Sequence, residues 1–565
     1  MLSIRKIGRI GRTYRHVNRY RQILSILIKF GFGDLLSRLN LEQYIDLGIQ
    51  LISRKPRERE EKRTRAERMR LAVEELGPTF IKLGQILSTR PNLLPEDWVQ
   101  ELAKLQDAVA PHPFSSMKKI IEAELQRPLA EVFSSISETP IASASIGQVH
   151  KGRLKDGSDV AVKIQRPDIR RIIEVDLEIM LYLATLMEHN IEELAFHRPV
   201  RIVEAFARTM EKEIDYTIEA ANMARFLRNF KDNPTVHVPA VYTDYTAARV
   251  LVMEFVEGIK VSQLDQLDAE GMDRKLVVVR GADLILEQVL IHGFFHADPH
   301  PGNIFVLPGN VICLLDFGMV GAVDRQTRER FVDLLYHIVR QDETRVVRVL
   351  MSLTEWEREP DMRQFESDMA DFMGQYFFVP LKAIEIGKFL HQLLSVAQRH
   401  HLRIAPDIYL MIKTFTILDG VARRLDPDFD LVAQAAPFVM KVRLERVSPQ
   451  RLVSEAGHQL AEWMQFFEQL PGELVNMMRM IRQQRIGVQI EHKGLVEMLA
   501  THDQISNRIS FSIIIAALVI GSALIVISKT PPFIFGISLI GIIGFLAAAI
   551  MGIWLLIAIL KKGKL

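Results

Sequence analysis

Three side chains with hard oxygen donors, spaced five and then thirteen residues apart, constrain this chain more than any other feature. They are Asp298 and Asn303 in His296-Ala-Asp-Pro-His-Pro-Gly-Asn303, and Asp316 in Leu315-Asp-Phe-Gly318. For the Asn303 amide and the Asp316 carboxylate to meet one small octahedral cation, the chain between them must double back. Ile304-Phe-Val306, a Pro308-Gly-Asn310 turn and Val311-Ile-Cys-Leu-Leu315 supply two short strands and a tight reversal. Such a cation keeps several waters and takes further ligands from phosphate. The spacing therefore points to chemistry on the phosphates of a nucleotide. Asp-Phe-Gly alone is an ordinary turn after a buried strand; with the upstream loop at this distance, coincidence becomes the weaker explanation. His300, between two prolines, reads as a loop-bracing hydrogen-bond partner.

The layout repeats that of a protein-kinase catalytic loop and metal-binding triplet, in which one carboxylate handles the attacking group. The other parts of a nucleotide site lie upstream in order. Val160-Ala-Val-Lys163 ends a hairpin strand after an Asp156-Gly157 turn, and a lysine there can reach the α- and β-phosphates. Met253-Glu-Phe-Val-Glu-Gly258 follows the apolar Val250-Leu-Val252 and fits a segment joining two lobes, with Glu254 and Val256 offering backbone groups to adenine. Glu211 to Glu219 is the acidic helix expected to fix Lys163. On one continuous helix Asp215 and Glu219 share a face while Glu213 and Glu219 point about 120° apart, so a single helix could serve two lysines. Where a Gly-rich loop would cover phosphates, the chain has Ala142-Ser-Ala-Ser-Ile-Gly-Gln-Val-His150. Ala142, Ser143, Ala144, Ser145, Ile146, Gly147 and Val149 are the candidate nucleotide contacts. With a single glycine this loop is expected to be stiffer.

These motifs, with Lys82-Leu-Gly-Gln85, Leu102-Ala-Lys-Leu-Gln-Asp107 and Glu213-Ile-Asp215, resemble the UbiB/AarF family of atypical kinase-like proteins, linked to isoprenoid-quinone biosynthesis. The resemblance implies an α+β, two-lobed protein-kinase-like fold with an N-terminal helical extension. It implies a Lys163–Glu219 pair, Asn303 and Asp316 as holders of Mg²⁺ on ATP, and Asp298 as the catalytic carboxylate. Lys82 and Gln85 would lie over the site as regulatory residues and engage Glu213 and Asp215. A helix filling the cleft would block a protein substrate, so the resemblance implies ATP hydrolysis, or phosphorylation of a small or lipid-like molecule. A nucleotide-gated scaffold for quinone-biosynthesis enzymes is the non-catalytic alternative. Ser143 interrupts the alanines usual in the family, which leaves nucleotide preference open.

Ile509–Ser528 and Thr530–Leu560 are runs of twenty and thirty-one residues without an ionisable group. About 20 helical residues cross a bilayer core of about 30 Å. Two transmembrane helices joined by Lys529-Thr-Pro-Pro532 are therefore expected, with Ala517/Gly521 and Ala548/Gly552 as points of close approach. Arg508 before the first run and Lys561, Lys562 and Lys564 after the second put both termini and the kinase-like body in the cytoplasm. Phe30-Gly-Phe-Gly-Asp-Leu-Leu36 is similar to the start of bacterial family members, so a bacterial cytoplasmic (inner) membrane is expected over a mitochondrial or plastid one. Residues 1–30 carry eight Lys/Arg and no acid, with Ile23 to Ile28 between them. An amphipathic contact with an anionic lipid surface, a transit peptide and a solvated basic helix all stay open for this stretch.

With 71 basic against 69 acidic residues, the chain has no global cationic field for nucleic acid. Its one cysteine, Cys313, excludes an intramolecular disulfide and is expected in the core. A length of 565 residues exceeds one domain. The expected division is a basic segment (1–70), the extension carrying Lys82 and Gln85 (71–115), an N-lobe with inserted helices (116–258), a C-lobe (259–430), a helical linker (431–507) and the two spans (508–560). Quinone precursors and quinone-biosynthesis enzymes are the partners the resemblance implies. Arg54 to Arg70 reads as a solvated charged run, and Met477, Met478 and Met480 as packing or lipid contacts.

Overall fold

A computed structural model describes residues 14–39, 63–88, 94–105, 110–191, 198–356, 360–376, 379, 380, 383–446, 448, 464, 495–534 and 537–561. The chain divides into two units, Met1–Val453 and Ser454–Leu565. Residues 1–13, most of the charged run 54–70, Met477, Met478, Met480, Lys562 and Lys564 lie outside the described residues.

The first unit is built on an antiparallel sheet of β1 (Phe133–Ile136), β2 (Ala142–Ser143), β3 (Gly147–Leu154), β4 (Asp159–Gln165) and β6 (Val250–Glu254). β3 and β4 form the hairpin expected around Asp156-Gly157, with Gly157 at φ +92° in the reversal. Side chains alternate across a strand. Val160, Val162 and Ile164 accordingly join Val250 and Val252 against Met117 and Ile121 of α4 (Phe114–Leu125). Ala161 and Lys163 fall on the other face, where Ala161 packs in the cluster that holds Tyr216, Met223 and Phe226. Period two thus puts Lys163 on the face that packs against residues 211–219, the segment expected to form the acidic helix.

That acidic helix is in fact two. α6 (Pro199–Glu213) ends, and α7 (Tyr216–Asn229) begins after an N-cap at Asp215, whose extended backbone (φ −130°, ψ 97°) breaks the helix and whose carboxylate accepts the Thr217 amide. A capping aspartate satisfies helix donors that otherwise lack partners. Glu213 and Glu219 therefore sit on different helices, which corrects the expectation of one helix serving two lysines.

Past β6, the segment 255–258 leads to a second sheet of β5 (Val236–His237), β10 (Val311–Leu314), β9 (Ile304–Leu307) and β7 (Ile259–Lys260). β9 and β10 are antiparallel with Ile304 opposite Leu314, and their turn carries Gly309 at φ +78° and Asn310 at +58°. Asn303 and Leu315 then close the open end, where Leu315 N–H donates to Asn303 O at 2.9 Å. A short pair of β8 (Phe294–His296) and β11 (Val320–Ala322) brackets this hairpin. Cys313 is fully buried in β10.

The rest of this unit is mainly helical, with one short antiparallel pair of Thr354–Glu355 and Arg403–Ile404: α8 (Arg274–Leu286), α9 (Arg325–Val339), α10 (Glu343–Ser352), α11 (Met362–Gly374), α12 (Ile386–Arg399), α13 (Pro406–Leu425) and α14 (Leu431–Arg446). They share one apolar core that reaches Phe295 and Ala297 beside the catalytic-type loop. The architecture is the two-lobed, kinase-like α+β fold with a helical extension.

The extension consists of α1 (Tyr14–Lys29), α2 (Arg65–Leu76) and α3 (Pro78–Ser88). α2 starts on a capping box: the Glu67 amide donates to Thr64 Oγ1, and the Thr64 amide donates to the Glu67 carboxylate. Ile23, Leu24 and Ile26 are buried against Ile173 and Met180 of α5 (Ile169–Asn190) and Phe206 and Met210 of α6. Arg19 donates to both carboxylate oxygens of buried Asp176, at 2.7 and 3.0 Å, and to Leu76 O at 2.7 Å. Of the apolar run offered as a candidate lipid contact, Ile23, Leu24 and Ile26 are protein core, with Leu27 and Ile28 partly buried against it.

In the second unit α15 (Leu495–Ile527) and α16 (Leu539–Lys561) pack together, and both hold stretches long and apolar enough to cross a membrane, with most side chains exposed. They meet tightly at Ser522 against Gly544 and Val526 against Gly541: a Cβ on Gly544 would meet Ser522 Oγ at 2.1 Å. Gly521 and Gly552 face nothing within 4 Å, whereas Ala548 of the second expected pair is buried.

Candidate active site

Lys163 Nζ lies 2.8 and 2.9 Å from the two carboxylate oxygens of Glu219 and 3.3 Å from Asp316 Oδ1. The pair is mostly buried, with the side chains 19 % and 5 % exposed, and the ammonium faces the Tyr216 ring. Burial disfavours the Lys163 charge, but attraction to Asp316 and Glu219 outweighs it and raises the ammonium well above its ordinary value. Conversely the Lys163 ammonium, with Lys82 behind it, holds the Asp316 carboxyl far below the usual range. Asp316 takes φ +62°, in the left-handed region that aspartate tolerates better than most residues. Phe317 anchors this conformation by packing on Phe226 (4.9 Å between ring centres) and His296 (5.7 Å), and its carbonyl accepts from Asn222 Nδ2 at 3.0 Å.

His296 ties the two functional segments together. Its Nε2 lies 3.1 Å from Leu315 O, directly before Asp316, and its Nδ1 accepts the Asp298 amide at 3.2 Å. These partners select the tautomer with the proton on Nε2. Burial pushes its pKa down, so the ring is held neutral. Asp298 is paired with Lys413 of α13, Nζ to Oδ1 at 2.9 Å. His300 braces the loop as expected: its Nδ1 accepts the Gly302 amide at 3.2 Å. Asn303 and Asp316 stand at neighbouring corners through the Leu315–Asn303 backbone bond. Among the described residues no three His, Cys, Asp or Glu side chains gather as a closed metal site. One amide and one carboxylate suit a cation that completes its shell with water and phosphate.

The loop opposite is a tight reversal between β2 and β3, closed by the Ala144 amide on Gly147 O at 2.8 Å. Ala142 and Ala144 are exposed, Ser145 and Ile146 buried, and Val149 pairs with Lys163 across the sheet. A Cβ at Gly147 would sit 2.3 Å from Tyr216 Oη and 2.7 Å from Ile164 O, so only glycine fits there. Arg166 gathers the loop, donating to Ala144 O (2.8 Å), Ser143 Oγ (2.9 Å) and Ala110 O (3.0 Å). Glu254 ends β6, its carboxylate bonded to His237 and the Ala240 amide, and Val256 follows in the joining segment.

Lys82 Nζ on α3 lies 3.1 Å from Glu213 Oε1, and Glu213 stands beside Gly318. The extension therefore reaches the Asp316 segment. Gln85 donates to Leu105 O at 3.4 Å, and Asp215 is engaged at its cap with Thr217, so these side chains hold local structure rather than meeting each other. Arg166, Tyr216, Asn222 and Lys413 were not singled out from the sequence. Arg166, a charge directly after the apolar β4, carried a readable signal; Lys413, on a distant helix with no motif, carried none.

Residues 104–350 match the family described as the ABC1 atypical kinase-like domain, 369–430 the UbiB helical domain, and 493–561 the ABC1/UbiB kinase-like C-terminal domain. The chain is 37 % identical over 473 residues to a Pseudomonas fluorescens protein named "Probable protein kinase UbiB", covering 82 % of this chain and 86 % of that one. A Cellvibrio japonicus protein of the same name is 37 % identical over 74 % of this chain and 77 % of its own. A Clostridium pasteurianum protein, "Uncharacterized protein in hydrogenase 1 5'region", is 31 % identical over 97 % of this chain and all of its own length. With identity at this level over most of both chains, this chain belongs to the UbiB/ABC1 family of atypical kinase-like proteins.

Proposed function

We propose that this protein binds MgATP and hydrolyses it at the site between the two lobes, anchored in a membrane by its two apolar helices, in support of ubiquinone-type isoprenoid-quinone biosynthesis. One observation carries the ATP reading: Lys163, held by Glu219, faces Asp316 at 3.3 Å, with Asn303 and Asp298 on the adjoining loop. Lys163 would meet the α- and β-phosphates. Asn303 and Asp316 would hold Mg²⁺, which neutralises charge gathering on the phosphoryl oxygens. Asp298 orients the attacking water and accepts its proton, and catalysis is mostly positioning and charge stabilisation.

The acceptor reading follows from α3. With Lys82 on Glu213 beside Gly318, the extension lies where a polypeptide substrate would approach. The Asp298 and Asp316 side chains are 39 % and 55 % exposed, which supports water or a small lipid-like hydroxyl as the acceptor. The quinone link comes from the family resemblance, and the membrane reading from the length and apolarity of Ile505–Ile527 and Leu539–Leu556.

The test is Mg²⁺-dependent ADP production by the purified full chain, with and without anionic liposomes. Asp298→Asn is expected to lower turnover by roughly 10²–10⁴-fold, the span of general-base effects, while leaving nucleotide affinity in place. Equal turnover in the variant sinks the assignment. A phosphorylated lipid in place of free phosphate redirects it to a lipid kinase.

A further inference from the structure

The carboxylate of the catalytic-type loop is held from outside that loop. α13 lays two consecutive residues against it: the buried Thr414 side chain lies 3.5 Å from His296 O while its hydroxyl donates to Leu410 O at 2.9 Å, and Lys413 Nζ sits 2.9 Å from Asp298 Oδ1. Ile412 and Thr414 are both fully buried, and Phe415 stacks on Phe331 with ring centres 5.9 Å apart, so the backbone carrying Lys413 is fixed by core packing. The loop itself has no Lys or Arg between His296 and Asn303, and His300 is committed to the Gly302 amide. The side chains of Lys413 and Asp298 are 20 % and 39 % exposed. A pair this open to water adds little to stability, so its placement calls for another reason.

We propose that Lys413 is a positioning residue for Asp298, and that through it the helical segment 369–430 acts at the reaction centre. The proposal rests on the ATP reading above. In the step, the oxygen of water or of a small hydroxyl forms a bond to the γ-phosphorus. The bond from the γ-phosphorus to the β,γ-bridging oxygen breaks, its electron pair leaves with ADP, and the attacker's proton passes to Asp298. By holding Oδ1, Lys413 turns the other carboxylate oxygen toward the attacker. A shift of α13 would then be felt directly at the proton acceptor.

The experiment uses the full chain in liposomes with MgATP, measuring kcat, KM, nucleotide Kd and Tm. Two neutral replacements of similar length, Lys413→Met and Lys413→Gln, guard against a packing failure in either one. Both are expected to lower kcat by roughly 10–100-fold, the scale of a misplaced reacting group. Kd and KM should move by less than about two-fold, because neither side chain is assigned a contact with the bound nucleotide. Lys413→Arg should recover much of kcat. The double variant Asp298→Asn/Lys413→Met should match Asp298→Asn alone, because the two act as a unit. Wild-type kcat in both neutral variants beside an inactive Asp298→Asn overturns the proposal and leaves the ATP reading standing, and losses that multiply in the double variant do the same. A wild type that neither binds nor consumes MgATP, or an Asp298→Asn variant as fast as wild type, removes both.

Discussion

At Lys163 charge and packing can be separated by experiment. Glu219 is 4 % exposed, and its carboxylate is compensated by the ammonium at 2.8 Å. Lys163→Ala leaves that carboxylate buried beside Asp316, a loss expected to cost about 3–5 kcal/mol. Lys163→Ala/Glu219→Gln should recover a large part of it, and urea midpoints of the three proteins check the ordering. His296 offers a second handle, through pH. Burial depresses its folded-state pKa below the unfolded value, so the unfolded chain binds the proton first. Its contribution is intact above about pH 6.5, the unfolded value, and is lost as pH falls below it. His296→Gln keeps a donor near the Nε2 position without titrating. Its urea midpoint should fall less than that of wild type between neutral and mildly acid pH; parallel curves would remove His296 as the source.

Among the elements, the junction of α6 and α7 decides the most for its size. The Asp215 carboxylate accepts both the amide and the hydroxyl of Thr217, and the break it caps sends Glu213 toward Lys82 and Glu219 toward Lys163. Asp215→Ala should cost about 1 kcal/mol in a denaturant titration, the usual value of an N-cap, whereas Asp215→Asn should cost much less. The acidic run from Glu211 to Glu219 was readable as helix, but its interruption was not. A capping aspartate and a mid-helix aspartate look alike until the fold supplies two directions for the chain. The β9–β10 hairpin is the opposite case. Pro308-Gly-Asn310 states its own turn, and Gly309 and Asn310 take the positive φ values that such a turn needs. In the second unit, composition pointed to small residues at the helix contact, but only packing put Ser522 against Gly544.

For the whole molecule, the positive-inside rule gives a topology that protease can check. In sealed vesicles with the cytoplasmic face outward, the kinase-like body should be digested while Ile509 to Leu560 survives as a protected fragment; vesicles of the opposite orientation should shield the body. Digestion of the body in both would reject two spans with both ends on the cytoplasmic side. The sequence by itself determined the family, the Asp298–Asn303–Asp316 spacing, the hairpin turns and two apolar runs of membrane length, because these are local: each depends on residue type, period two or a tight reversal. Only the tertiary structure decided that Ile23 to Ile26 belong to the core, that Arg166 gathers the loop over the site, and that Lys413 stands at Asp298. Those contacts join segments distant in the chain, and their partners are chosen by which faces the packed core brings together.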